Sequence, residues 1–160
     1  MPRVLCLVAA VLAVTASAVT DTSAAGALSV RTLACTAATT KTLVRAFVED
    51  YDRGRVAAIN SMWAPEPYFQ WFSTRAPGGR LGVQAYDRAT LAAYFRARVR
   101  IHERIVLTRL SARYDPNRDL VNFSGEVLRS ADDIHSVAPH PFKGAADCRS
   151  GSPSLIVWSM

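Results

Sequence analysis

The stretch that decides the fold is VRAFVEDYDRG at residues 44–54, followed by MWAPE at residues 62–66. Apolar residues recur in the first segment at three-and-four spacing, which is typical of one buried face of a helix. Phe47 and Tyr51 lie on this face. Gly54 follows as a residue that can end a helix in the left-handed conformation. The segment therefore predicts an amphipathic helix that ends in a tight turn.

Three helices are predicted in the first half of the domain. The first begins at Thr39 or Thr40, both of which are good N-cap residues. The second is short and ends before Pro65, because proline interrupts a helix. The third spans about 87–103 and presents one broad apolar face.

Further along the chain the hydrophobic period changes to two, which indicates strands. The four predicted strands span residues 105–114, 120–129, 142–148 and 155–160. A brief aromatic strand over 68–73 precedes the third helix, whereas 75–83 and 131–141 are expected to be loops. These elements predict an α+β fold, in which a curved antiparallel sheet of four to five strands packs on three helices.

This order of elements resembles the nuclear-transport-factor-two-like superfamily and, within it, the SnoaL-like group. Residues 44–54 and 62–66 carry the resemblance, which extends over most of 38–160. It implies a cone-shaped shell that encloses a pocket between sheet and helices. Members include isomerases, dehydratases, cyclases and transport factors, so the resemblance implies no single chemistry.

The ketosteroid-isomerase branch of this superfamily allows a sharper comparison. Its mechanism needs a base carboxylate and an oxyanion hole that contains a tyrosine. In an ungapped alignment the tyrosine falls on Phe47 and the base aspartate on Trp71. Phenylalanine has no hydrogen-bond donor, and an indole cannot accept a proton. The resemblance therefore implies the shell of this enzyme without two of its working groups, and whether the chain is an enzyme stays open.

Five aromatic residues are candidates for the lining of a ligand pocket in the cone. They are Trp63, Tyr68, Trp71, Tyr94 and Trp158. Each alone is expected in a hydrophobic core. Together with a few polar groups, such a set is typical of a site for a small hydrophobic or amphipathic molecule.

Arg98 and His102 lie one turn apart on the apolar face of the third helix. An imidazole can act as an acid or base, and a guanidinium can hold an anionic group. The two residues are the candidates for an isomerase or lyase activity. The alternative is a histidine satisfied by backbone at the helix end and an arginine that extends past the sheet.

The N-terminal segment has the features of an export signal. Arg3 precedes an apolar run over 4–14, and Ala16-Ser17-Ala18 provides a small-x-small cleavage site, with a second possible site after Ala27. A helix of this length rises only about 16 Å, too little to cross a ~30 Å hydrocarbon core. The predicted organisation is a signal peptide over 1–18, a flexible arm over 19–37 and a secreted domain over 38–160, with no membrane segment after cleavage.

Cysteine usage agrees with export. Cys6 leaves with the signal, so that Cys35 and Cys148 remain. An even pair in an oxidising compartment most simply forms a disulfide. Two unpaired thiols are the alternative.

The chain is basic, with 19 Lys+Arg against 13 Asp+Glu and a formal net charge of +6. All but Lys41 and Lys143 of the basic residues are arginine, which indicates a compositional bias as much as a nucleic-acid surface. No nucleic-acid partner is expected, because the densest basic run lies beside Glu103 and an exported protein rarely meets nucleic acid. A homodimer through the outer face of the sheet is the partner that the resemblance implies.

No cofactor or metal is predicted. The chain has no phosphate-binding glycine loop and no zinc motif. His135 and His140 lie near two aspartates, but their spacing fits no closed metal motif. The sequence thus favours a ligand-binding domain of unassigned activity.

Overall fold

The computed structural model of the chain describes residues 34–66, 68–74, 82–135 and 137–160, apart from the side chain of His135. The predicted signal peptide, nearly all of the predicted arm and most of the 75–83 loop lie outside these residues. Within the described part of the chain, no helix is long and apolar enough to cross a membrane.

The part of the chain that the structure describes forms three helices, as the hydrophobic periodicity predicts. They are α1 (Ala37–Asp52), α2 (Val56–Ser61) and α3 (Arg88–Arg100). Helix α1 begins before the predicted start because Thr36 is its N-cap and forms a capping box with Thr39. Asp87 and Thr90 form the same arrangement at α3. Gly54 follows α1 with a φ of 67°, which confirms the predicted left-handed turn.

Within the described residues, seven strands make one sheet. They are β1 (Gln70–Ser73), β2 (Gly82–Ala85), β3 (Arg104–Asp115), β4 (Leu120–Ala131), β5 (Ile134–His135), β6 (His140–Asp147) and β7 (Ser154–Ser159). The order is β2-β1-β7-β6-β4-β3, with β5 paired to β4. Strands β1 and β7 pair in parallel, whereas the other pairs are antiparallel.

This architecture confirms the predicted α+β fold, with more strands than the four to five expected. The sheet is mixed and not wholly antiparallel as predicted, because β1 pairs in parallel with β7. The additional strands are β2 and β5, which were expected to be loops. They have four and two residues, too few to show an alternating pattern. They form because β2 pairs with β1 and β5 pairs with β4. A local sequence pattern does not reveal such partner strands.

The sheet curves around α1 and α3, and two glycines permit the close approach that this requires. A Cβ at Gly125 would lie 1.9 Å from the carbonyl oxygen of Arg109, where β3 carries a bulge. A Cβ at Gly144 would lie 2.3 Å from the ring of Phe123. Side chains at these positions would push β4 and β6 away from their neighbours, so glycine is needed for the packed inner face.

Cys35 and Cys148 form the predicted disulfide, with their Cα atoms 5.4 Å apart and 113 residues between them in sequence. The bond joins the segment before α1 to the end of β6. In the loop-closure treatment a crosslink of this span stabilises the fold by about 4–5 kcal/mol, through the entropy it removes from the unfolded chain.

Candidate functional site

The interior of the cone is an aromatic cluster with Trp71 of β1 at its centre. The ring centroid of Trp71 lies 5.7 Å from that of Tyr94, 5.8 Å from that of Trp158 and 6.1 Å from that of Trp63. All three indoles are buried. The structure thus brings together four of the five aromatic residues that the sequence suggested as a pocket lining.

Tyr68 is separated from the other four. The residue is 62% exposed, and the guanidinium of Arg149 lies over its ring, 5.3 Å from the centroid. Tyr68 precedes the first residue of β1, so the inward and outward alternation of that strand does not govern its direction.

Four hydrogen-bond donors in this aromatic cluster have no partner among the residues that the structure describes. They are Nε1 of Trp63, Nε1 of Trp71, Nε1 of Trp158 and the hydroxyl of Tyr94, and each atom is buried. Buried polar groups in folded proteins are nearly always paired. A buried donor left unpaired costs about 1–3 kcal/mol. The cluster therefore contains four buried donors that could bind acceptors from outside the described residues.

The two positions that the ketosteroid-isomerase comparison singled out both lie in this cluster. Phe47 packs against Trp71, with centroids 5.8 Å apart, and against Trp158, with centroids 4.6 Å apart. Strand β1 has the sequence QWFS and is fully described, and it places no carboxylate in the interior. Both positions that the alignment singled out are therefore occupied by buried rings.

A buried ionic network lies beside the aromatic cluster. Glu103 accepts hydrogen bonds from the hydroxyl of Tyr51 at 2.7 Å, from Nε of Arg129 at 2.9 Å and from Nη2 of Arg129 at 2.7 Å. It also pairs with Nε of Arg98. The other two nitrogens of Arg98 each donate to Asp133 at 3.0 Å. The donors of Arg98 are thus directed to protein carboxylates, which argues against its predicted role as an anion clamp.

This network shifts the pKa values of several of its groups. Burial, together with the charge of Glu103, raises the pKa of the Tyr51 hydroxyl well above its usual value. The hydrogen bonds from Arg98 lower the pKa of Asp133. Sequence reasoning missed Glu103 and Arg129 as partners. The alternation of β4 places Arg129 on the same inward face as Val127, and this pattern could have indicated that Arg129 is buried.

His102 lies outside the cone. Helix α3 ends at Arg100, and His102 has a φ of 54°, so it leaves the apolar helical face on which the sequence placed it. Its side chain is 78% exposed, and Nδ1 lies 3.2 Å from Oδ2 of Asp132. This surface position does not fit the predicted acid–base role.

An open groove lies on the outer face of the sheet, opposite the helices. Ser111, Ser124, Lys143 and Ser159 are neighbours across β3, β4, β6 and β7, and all four line it. The groove has a volume of about 620 Å³. A second hollow of about 650 Å³ shares these four residues and extends to Glu126. Within the described residues, no group of three metal-ligating side chains is present.

Comparisons with known proteins define the fold. Neither a protein-family model nor a curated protein matches the chain. A solved structure from Nostoc punctiforme, a protein of unknown function with a cystatin-like fold, matches with a TM-score of 0.58 and 13% identity, over 76% of this chain and 86% of that chain. ActVI-ORFA from Streptomyces coelicolor matches with a TM-score of 0.55 and 12% identity, over 76% of this chain and 93% of that chain.

A nuclear-transport-factor-two-like protein with a cystatin-like fold, from Novosphingobium aromaticivorans, matches with a TM-score of 0.52 and 13% identity, over 76% of this chain and 78% of that chain. The chain therefore has a cystatin-like fold, which agrees with the fold that its element order implied. At such low identities the likeness extends to the fold alone.

Proposed function

We propose that the protein is an exported SnoaL-like binding protein whose cone holds a small apolar molecule that carries hydrogen-bond acceptors. The observation that supports this is the set of four unpartnered donors around Trp71. In an interior that served packing alone these donors would stay unpaired at a cost, whereas a ligand acceptor would satisfy them. The disulfide agrees with an oxidising, extracytoplasmic compartment.

The donor set restricts the chemistry of the ligand. An indole N–H can only donate, so the complementary group is an acceptor such as a ketone, ester or ether oxygen. The surrounding rings favour an apolar body. Arg98 and Arg129, which lie in the adjacent network, are both paired with carboxylates. The chemistry of these side chains therefore favours a neutral ligand over an anionic one.

The positions of His102 and Arg98, the two predicted catalytic residues, favour binding over catalysis. His102 is on the surface, and Arg98 is engaged by Glu103 and Asp133. Neither residue therefore provides the cone with the free acid–base group that the isomerase or lyase alternative needs.

Intrinsic fluorescence provides a direct test, because the chain has three tryptophans and all of them lie in the cluster. The probe is 1-decalone, and decalin is the matched molecule without an acceptor. We expect 1-decalone to shift the tryptophan emission and raise the Tm, and decalin to bind more weakly. A single hydrogen bond of about 0.5–1.5 kcal/mol corresponds to roughly two- to tenfold in affinity.

Two tyrosine variants make the test specific. Tyr94→Phe removes only the buried hydroxyl, and we expect it to weaken 1-decalone binding by that factor. Tyr68→Phe makes the same change at the exposed position and should leave binding unchanged. Equal binding of 1-decalone and decalin, or equal effects of the two variants, would show that the donors serve internal water or packing instead.

A further inference from the structure

The outer groove is a second candidate site, distinct from the cone. It lies on the opposite face of the sheet from the aromatic cluster, because Ser124 points outward where its neighbour Phe123 points into the core. The groove exists because the central outward positions are small. Ser111, Ser124 and Ser159 stand where larger side chains would fill the space. Its volume of about 620 Å³ is within the range of small-molecule sites.

The lining combines an apolar part with two cations. Phe72, Ala145 and Val157 contribute apolar surface, and Arg113 and Lys143 contribute positive charge. Neither of these two cations forms an ion pair with any residue in the described part of the chain. Arg109 differs, since its Nη1 lies 3.5 Å from Oε1 of Glu126. The groove therefore offers uncompensated positive charge beside an apolar surface.

We propose that this groove binds a single-chain amphiphilic anion, such as a medium-chain carboxylate. The apolar chain would lie against Phe72, Ala145 and Val157. The anionic head group would lie at Lys143 and Arg113, beside the exposed Ser111 and Ser124 hydroxyls, which are in hydrogen-bond contact at 3.1 Å and can offer one further O–H donor. This ligand class differs from the neutral molecule proposed for the cone, because the cations of the interior are paired and those of the groove are not.

The charges also favour this occupant over a second copy of the chain. Two copies joined face to face would bring Arg113 and Lys143 of each into one interface, with Glu126 as an already paired acid. Like charges brought together across an interface oppose association. A bound anion would instead neutralise the charges of Arg113 and Lys143. A single acyl chain is also small enough to lie in the groove.

Calorimetric titration of the full-length mature protein with dodecanoate, below its micelle concentration, tests the proposal. We expect saturable binding, and binding about tenfold weaker in the Arg113→Gln/Lys143→Gln double variant. Arg118→Gln/Lys41→Gln removes the same charge at positions away from the groove and serves as the matched control. Ser124→Trp should abolish binding by filling the hollow, and its circular dichroism spectrum verifies that it folds.

Further binding experiments distinguish the possible occupants of the groove. Dodecanol, which has the same chain without the charge, should bind more weakly than dodecanoate. Anionic phospholipid vesicles should compete poorly, because a bilayer surface presents no single free chain. The proposal is overturned if the double variant binds as well as wild type, if dodecanol matches dodecanoate, or if vesicles bind better than the free anion. A dimer in sedimentation that Ser124→Trp dissociates would assign the groove to a second copy instead.

The two sites can be tested independently. Tyr94→Phe should not change dodecanoate affinity, and the groove double variant should not change the fluorescence response to 1-decalone. Loss of one response with retention of the other shows which proposal fails.

Discussion

The indole of Trp71 stacks on the indole of Trp158, with ring centroids 5.8 Å apart and ring planes at 28°. The two residues are direct partners in the parallel pairing of β1 and β7. A strand that precedes α3 and the last strand of the chain are therefore joined both by their backbones and by their side chains. This contact connects the first half of the domain to the end of the sheet.

The central position of Trp71 predicts a large effect on stability. Trp71→Ala should lower the free energy of unfolding by about 3–5 kcal/mol, because it removes a buried ring and leaves a cavity. Trp71→Phe retains a ring and should cost clearly less. Urea denaturation followed by circular dichroism measures both. A loss below about 1 kcal/mol for the alanine variant would mean that the cluster is loosely packed or can collapse.

The buried network predicts a similar effect for one carboxylate. Glu103→Gln leaves the facing guanidinium groups of Arg98 and Arg129 without their shared negative charge. Removing one member of a buried ion pair typically costs about 3–5 kcal/mol. Glu49→Gln makes the same chemical change at an exposed pair with Arg53 and should stay within about 0.5 kcal/mol. Equal effects in chemical denaturation would contradict the assigned role of the network.

The lowered pKa of Asp133 predicts a contribution to acid sensitivity. Because the native state holds this carboxylate deprotonated, the unfolded chain binds more protons on acidification. The stabilisation is therefore fully present above the unfolded pKa of about 3.9 and is lost as pH falls through the folded value. Asp133→Asn should flatten the acid limb of a Tm-versus-pH curve. Asp132→Asn, which leaves the Arg98–Asp133 pair intact, should retain that contribution.

The disulfide predicts a response to reduction. Replacing Cys35 and Cys148 by serine, or reducing the bond, should lower stability by about 2–5 kcal/mol, since the unfolded chain regains the freedom that the crosslink removed. Thermal denaturation with and without reductant measures this in wild type. The double serine variant should show no further response to reductant. An unchanged wild-type Tm after verified reduction would contradict the expectation.

Local patterns predicted the elements whose signals lie within a few residues of one another. The three-and-four spacing around Phe47 defined α1, and the turn at Gly54 was predicted from its conformational freedom. The alternation over the later strands predicted the antiparallel order of β3, β4, β6 and β7. The same local information failed for His102, because the helix ends two residues earlier than its apolar pattern.

The sequence by itself determined the three helices, the longer strands, four of the five inward aromatic residues and the cysteine pair, because periodicity and composition act along the chain. Only the tertiary structure decided which of those residues meet. The parallel pairing of β1 and β7 brought Trp71 beside Trp158, and the antiparallel pairing of β3 and β4 brought Glu103 to Arg129. Such contacts join residues that are distant in sequence. Whether a buried donor finds a partner depends on that three-dimensional arrangement, which no local pattern specifies.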